Sequence, residues 1–294
     1  MAGRPEVTNM ALFCDFENVA LGVRDAKFPQ FDIRMVLERL LLKGSIVVKK
    51  AYCDWERYKE FKGEMHEAAF ELIEIPHVRM SGKNSADIRM VVDALDLCYT
   101  KAHVDAFVII SGDSDFSPLV SKLRENNKYV IGIGVKSSTS DLLSANCDEF
   151  IFYDDLARDA KPKRKPVEKK VAVKAAGNDK NDKNEKTKSA PVKQEDKQED
   201  KQESRPEDDK RHEALDFIIE TIEALIAERG EEEKLWGSMV KQTMKRRRPG
   251  FTESAYGYRS FRQLVEDAQK QSLLIMVRDE KSGQYTIRLP ALED

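Results

Sequence analysis

The chain has 294 residues, room for one large domain or two modest ones, and is 40% hydrophobic and 35% charged. The net charge of −3 is uneven: 20 basic against 26 acidic residues up to position 160, 16 against 12 over 161–210, and 14 against 15 beyond. Bulk charge therefore excludes general polyanion attraction by the N-terminal part, leaving local patches, the middle segment or bound cations to supply it.

Met1–Met10 lacks an apolar signal core, and no apolar run approaches the roughly 20 residues of a membrane span. A cytoplasmic chain without a membrane partner is expected. Cys14, Cys53, Cys98 and Cys147 form no CxxC pair and lie in or beside apolar runs, as reduced buried thiols do.

In chain order, strand patterns fall at Asn9–Asp15, Ser45–Cys53, Glu71–His77, Asp105–Ser111, Lys128–Gly134 and Glu149–Tyr153. The continuous runs Ile46-Val47-Val48 and Phe107-Val108-Ile109-Ile110 suit strands covered on both faces. Helical patterns alternate with them at about Phe31–Leu42, Asp54–Phe70, Ser85–Tyr99, Phe116–Asn126 and Thr139–Ala145. In the Ser85–Tyr99 pattern, Ile88, Val91, Val92, Leu95 and Tyr99 read as the apolar face. Alternating strands and helices predict an α/β fold with a parallel sheet and helices on both sides.

From about Arg158 large apolar residues almost vanish, and Lys161–Lys210 reads as a disordered charged linker. Periodicity resumes near Glu213 with a helix that Gly230 ends, then helical patterns over Leu235–Met244 and Tyr258–Gln271. Strands Leu273–Arg278 and Gln284–Leu289 follow, around Lys281-Ser282-Gly283. The expected division is 1–158, a linker at 159–211, and a small α+β winged-helix domain at 212–294.

The chemistry-bearing residues end two strands: Asp15-Phe16-Glu17-Asn18 after the first, Ser111-Gly112-Asp113-Ser114-Asp115-Phe116 after the fourth. In open parallel sheets, sites form beyond the carboxyl ends of strands where the strand order reverses. If these two strands flank that reversal, Asp15, Asp113 and Asp115 converge, and Asp87, in the first turn of the Ser85–Tyr99 helix, closes the cluster. Crowded carboxylates repel unless a cation lies between them. An all-oxygen set without His or Cys favours Mg²⁺ or Mn²⁺, which can activate water and stabilise charge on a phosphodiester. Asn18 adds an amide to orient water or a phosphate oxygen, and Lys83 is placed to contact a substrate phosphate. Taken singly, each Asp also suits a turn or cap.

These motifs, with Lys83-x-x-x-Asp87, Asp93-Ala94-Leu95, and the later Ser140-Asp141-Leu142 and Cys147-Asp148-Glu149-Phe150-Ile151, resemble the NYN domain. That domain belongs to the PIN-like nucleases, in the LabA-like branch, and the likeness spans about 8–156. The resemblance implies Asp15, Asp87, Asp113 and Asp115 as metal-binding acids supported by Asn18. The chain departs from the family in having Asn84-Ser85-Ala86 before Asp87. A haloacid-dehalogenase-type phosphatase needs an acid two residues after the strand-end Asp to be Asp, and here it is Glu17. The four histidines show no ligand spacing.

In the C-terminal part, Pro249-Gly250-Phe251-Thr252, Tyr256-Gly257-Tyr258 and Ser260-Phe261-x-x-Leu264-Val265 resemble the OST-HTH, or LOTUS, domain, which implies RNA binding. Lys245, Arg246, Arg247 and Arg248 form a basic run, Arg259 and Arg262 lie nearby, and Tyr256 and Tyr258 offer stacking surfaces, unless they pack in a core. A chain of about 50 linker residues would let this unit hold RNA while the acids sample phosphates. The combined reading is a metal-dependent endoribonuclease for single strands with an RNA-binding module. The alternatives are a non-catalytic RNA-binding adaptor, or a winged helix that engages a protein partner.

Overall fold

The computed structural model describes residues 9–75, 85–159, 206–230, 233–279 and 284–290. Six parallel strands form the larger sheet: β1 (Asn9–Asp15), β2 (Ser45–Cys53), β3 (Glu71–Glu74), β4 (Ala106–Ile110), β5 (Tyr129–Gly134) and β6 (Glu149–Phe152). Their order is β3-β2-β1-β4-β5-β6, so the chain steps outward from β1, returns over the sheet, and resumes beside β1 at β4. The reversal lies between β1 and β4, where a crevice opens at the carboxyl ends.

Between the strands run α1 (Phe16–Asp25), α2 (Ile33–Lys43), α3 (Lys62–Glu67), α4 (Ser85–Thr100), α5 (Ser117–Glu125), α6 (Asp141–Asn146) and α7 (Tyr153–Asp159). Alternation along β1 divides the core into two layers. Met10, Leu12 and Cys14 face Phe16, Val36 and Leu40, whereas Ala11 and Phe13 face Met90, Ala94 and Leu123. The fold is a PIN-like α/β sheet with helices on both faces. Cys14, Cys53 and Cys98 are buried and Cys147 half-buried, all as free thiols.

Several elements differ from the sequence expectation. The Asp54–Phe70 pattern gives only a 3-10 turn at Lys59–Phe61 and the short α3, because Trp55, Tyr58 and Phe61 instead pack round Phe16. On α4 the buried residues are Met90, Ala94 and Cys98, at i, i+4 and i+8, while Ile88, Val92 and Tyr99 are exposed. The small Ala94 and Cys98 let that side of the helix lie close on the sheet. Helices α1 and α7 were not anticipated.

The C-terminal region runs α8 (Pro206–Arg229), β7 (Leu235–Trp236), α9 (Gly237–Arg247), a 3-10 turn at Glu253–Tyr256, α10 (Phe261–Lys270), β8 (Ile275–Arg278) and β9 (Tyr285–Arg288). With its antiparallel β7-β9-β8 sheet, this is a winged-helix arrangement. Gly230, at φ +91°, ends α8. The helix begins at Pro206, ahead of Glu213, and Leu235–Trp236 pairs with β9 as strand rather than opening α9.

This unit contacts the larger sheet's layer directly. Leu42 of α2 joins the C-terminal core. Lys43 is paired with Glu228 of α8 and, at 2.7 Å, with Glu149, while Arg39 meets Glu228 at 2.5 Å. The picture of a freely sampling winged helix is therefore corrected by a packed, ion-paired contact. Among the described residues no helix is long and apolar enough to cross a membrane.

Candidate active site at the carboxyl ends of β1 and β4

Asp15 is the last residue of β1 and the cap of α1. Its Oδ1 accepts from the Asn18 backbone N–H at 3.4 Å, and its Oδ2 accepts from Ser111 Oγ at 3.0 Å. Ser111, fully buried just after β4, accepts in turn from the Asp113 N–H at 3.2 Å. Asp113 Oδ1 accepts from the Asp115 N–H at 3.0 Å, capping the 3-10 turn Ser114–Phe116. Asn18 Oδ1 accepts from the Gly112 N–H at 2.9 Å. The two strand ends are thus stitched by side chain to backbone bonds, so Asp15 and Asp113 are caps and site acids at once.

Gly112 is required by close approach: a Cβ there would lie 2.3 Å from the Ser138 carbonyl oxygen. Its own carbonyl accepts from Ser140 N–H at 2.9 Å, which brings the start of α6 up to the site.

The electrostatics show which acids share one space. Burial first, then the charges of Asp87 and Asp113, push Asp15 up to about 7, although the Ser111 and Asn18 hydrogen bonds oppose the rise. Asp87, in the first turn of α4, is raised to about 6 by burial and by Asp113, Asp115 and Glu17. The charges of Asp87 and Asp113 thus bear on Asp15, and those of Asp113 and Asp115 on Asp87. Asp15 is 7% exposed, Asp87 and Asp113 are half-buried, and Asp115 is exposed. Among the described residues no three His, Cys, Asp or Glu side chains lie close enough together to hold a metal ion as they stand.

Sequence reasoning missed two contributors. Ser111 sits inside the quoted motif, but its linking role needs the β1–β4 pairing to be known. Glu17 adds charge to the cluster and is paired with Arg57 at 3.0 Å. Asp93 proves structural: it accepts from Tyr52 Oη at 2.9 Å and pairs with Arg89 and Lys50. Lys83 lies outside the described residues.

The expected C-terminal RNA contacts divide. Tyr258 is 3% exposed and donates to Asp267 Oδ2 at 2.8 Å, so it is corrected to a core residue with no free face for a base. Tyr256 is half-buried and stacked on Phe251. Lys245, Arg246 and Arg247 form the last turn of α9, where cations complement the helix dipole. Arg247 bonds Glu220 at 2.6 Å and Thr221 at 2.9 Å, Arg248 bonds Glu213 at 3.2 Å, and both lie over Phe217. Arg246 bonds Thr243 at 2.9 Å. Lys245, Arg259 and Arg262 are exposed, Arg262 pairing with Glu266 at 2.8 Å.

Sheet order, switch point and strand-end acids together define a PIN-like, nuclease-type α/β unit. Residues 9–154 match the family model of the NYN domain, so this part of the chain is NYN-like in sequence as well as in fold. A solved protein of unknown function from Vibrio parahaemolyticus is similar at 27% identity, over 52% of this chain and 98% of that one, with a TM-score of 0.46. No curated protein matches.

Proposed function

We propose that the chain is a metal-dependent ribonuclease that hydrolyses phosphodiester bonds within single-stranded RNA. The observation that carries this reading is the gathering of Asp15, Asp87, Asp113 and Asp115 at the β1–β4 switch point, with Asp15 and Asp87 raised by burial and by the charges of neighbouring acids. Such a set is uncomfortable without a cation, and its hard oxygens suit Mg²⁺ or Mn²⁺. Asp15, Asp87, Asp113 and Asp115 would hold such an ion, which would supply charge neutralisation and Lewis acidity toward a phosphodiester. The chain's own part is positioning. Ser111 holds Asp15, Asn18 holds the Gly112 turn, and Asp113 fixes the turn that carries Asp115.

The C-terminal winged helix serves in this reading as an RNA-binding module of the OST-HTH/LOTUS kind. Its exposed Lys245, Arg259 and Arg262 are available to phosphates, while Arg247 and Arg248 brace α8. Action in the cytoplasm, without a membrane, completes the proposal. Cleavage of labelled RNA with Mg²⁺, Mn²⁺ or chelator tests it, and metal-independent or absent cleavage removes it.

A further inference from the structure

Helix α4 carries an apolar stripe that the sheet does not use. Ile88, Val92 and Tyr99 are 62%, 56% and 65% exposed, with the half-buried Leu95 between the last two. Their spacing of four, three and four residues sets all four side chains within about 60° of one another round the helix. It is also the spacing by which one helix packs along another, each knob set into a hole of the partner. Asn126 Nδ2 donates to Tyr99 Oη at 3.4 Å, which ties the end of the stripe to the end of α5. The sheet takes Met90, Ala94 and Cys98 on the other side of the helix.

Charge indicates what the stripe fits. Along one edge of it lie Arg89 and Asp96, seven residues apart and both exposed. Arg89 meets Asp93 of its own helix through Nε at 3.1 Å, and its side chain stays 58% exposed. A two-fold axis perpendicular to two antiparallel helices keeps each edge opposite itself and reverses its direction. Arg89 of one copy then meets Asp96 of the other at both ends of the pair, while Ile88 packs against Tyr99 and Val92 against Leu95. A parallel pair would turn the same edge toward Val91 and Cys98, which carry no charge to receive it.

We infer that the stripe binds a second copy of the chain, the two α4 helices lying antiparallel in a symmetric dimer. The seam is one helix wide, well below the roughly 800 Å² per partner of a standard interface, so association is weak and depends on concentration. Asp87 lies about 100° round the helix from Ile88, off the paired surface. The inference does not depend on the nuclease reading.

Sedimentation velocity of the full chain, from micromolar to submillimolar concentration, tests it, with melting curves taken at the most dilute point. Wild type should pass from monomer to dimer as concentration rises. Val92→Glu and Tyr99→Glu each set a charge in the seam and should weaken association at least about tenfold. Both positions are exposed in the single chain and Glu suits a helix, so the dilute melting temperature should not fall. Arg89→Glu and Asp96→Arg, each alone, set like charges opposite one another and should also weaken the dimer. Mixed in equal amounts, these two variants restore opposite charges at both ends, so the mixture should associate more tightly than either component. Wild type that stays monomeric throughout overturns the inference. So does a dimer that both Glu variants leave intact, which places the contact elsewhere. A charge-swap mixture that associates no better than its components overturns the antiparallel pairing. A lowered melting temperature in dilute Val92→Glu and Tyr99→Glu shows the stripe covered by the chain itself, which also overturns the dimer.

Discussion

Ser111 Oγ donates to Asp15 Oδ2 at 3.0 Å, joining the ends of β4 and β1 where the acids gather. Because that bond holds the Asp15 carboxyl down against burial, Ser111→Ala should push it further above about 7. The acid limb of the cleavage profile should then move to higher pH. Stability should fall by about 1–3 kcal/mol, since Asp15 Oδ2 and the Asp113 N–H both lose their partner. An unshifted pH profile in this variant would show that Ser111 does not position the acid.

The raised Asp87 makes a signed prediction about pH. Its folded value of about 6 lies above its ordinary value of 3.8, so the folded protein stays protonated while the unfolded chain has ionised. Stability from this group is therefore highest below about pH 4, declines as pH rises through 6, and is constant above. Asp87→Asn, which cannot ionise, should match wild type near pH 4 and exceed it by on the order of 1 kcal/mol at pH 7.5 in chelator, after allowing for solvent screening. Melting curves across that range check it. A variant that is less stable than wild type at pH 7.5 in chelator contradicts the crowding.

The frame of this site was legible because buried strands are short and strongly patterned: β1 and β2 begin and end where the sequence places them. The strand-end acids were legible for the same reason. What stayed hidden depends on tertiary packing. The α4 stripe misled because Ile88, Val92 and Tyr99 have helical spacing, whereas the sheet receives the smaller Ala94 and Cys98. Helix α1 was obscured by its site motif, and the tyrosines could not be sorted into core and surface until Asp267 was seen beside Tyr258.

The contact between the two units should be separable from catalysis. Lys43 and Glu228 have side chains only 8% and 4% exposed, and Lys43 sits just before β2, at the strand ends opposite the acids. Glu228→Ala leaves Lys43 and Arg39 without this carboxylate and should cost about 3 kcal/mol. Calorimetry should then resolve two transitions while cleavage of a short RNA is unchanged. A single transition at the wild-type temperature would show that the contact does not bind the units together.

Tyr258→Ala should act on folding alone. Removing a buried aromatic ring typically costs about 3–5 kcal/mol, and the bond to Asp267 goes with it. RNA affinity, measured below the lowered melting temperature on the full chain, should match wild type. A selective loss of affinity at wild-type stability would restore the residue as a base-stacking surface.

The most direct measurement is cleavage of labelled single-stranded RNA by wild type and Asp113→Asn, each with Mg²⁺, Mn²⁺ or chelator. The substitution keeps the shape of the side chain and removes one charge from the cluster. Metal-dependent cleavage by wild type, a fall of at least about 100-fold in the variant, and RNA binding retained by both are expected. Equal cleavage by the two proteins, or cleavage undiminished by chelator, would contradict the proposed function.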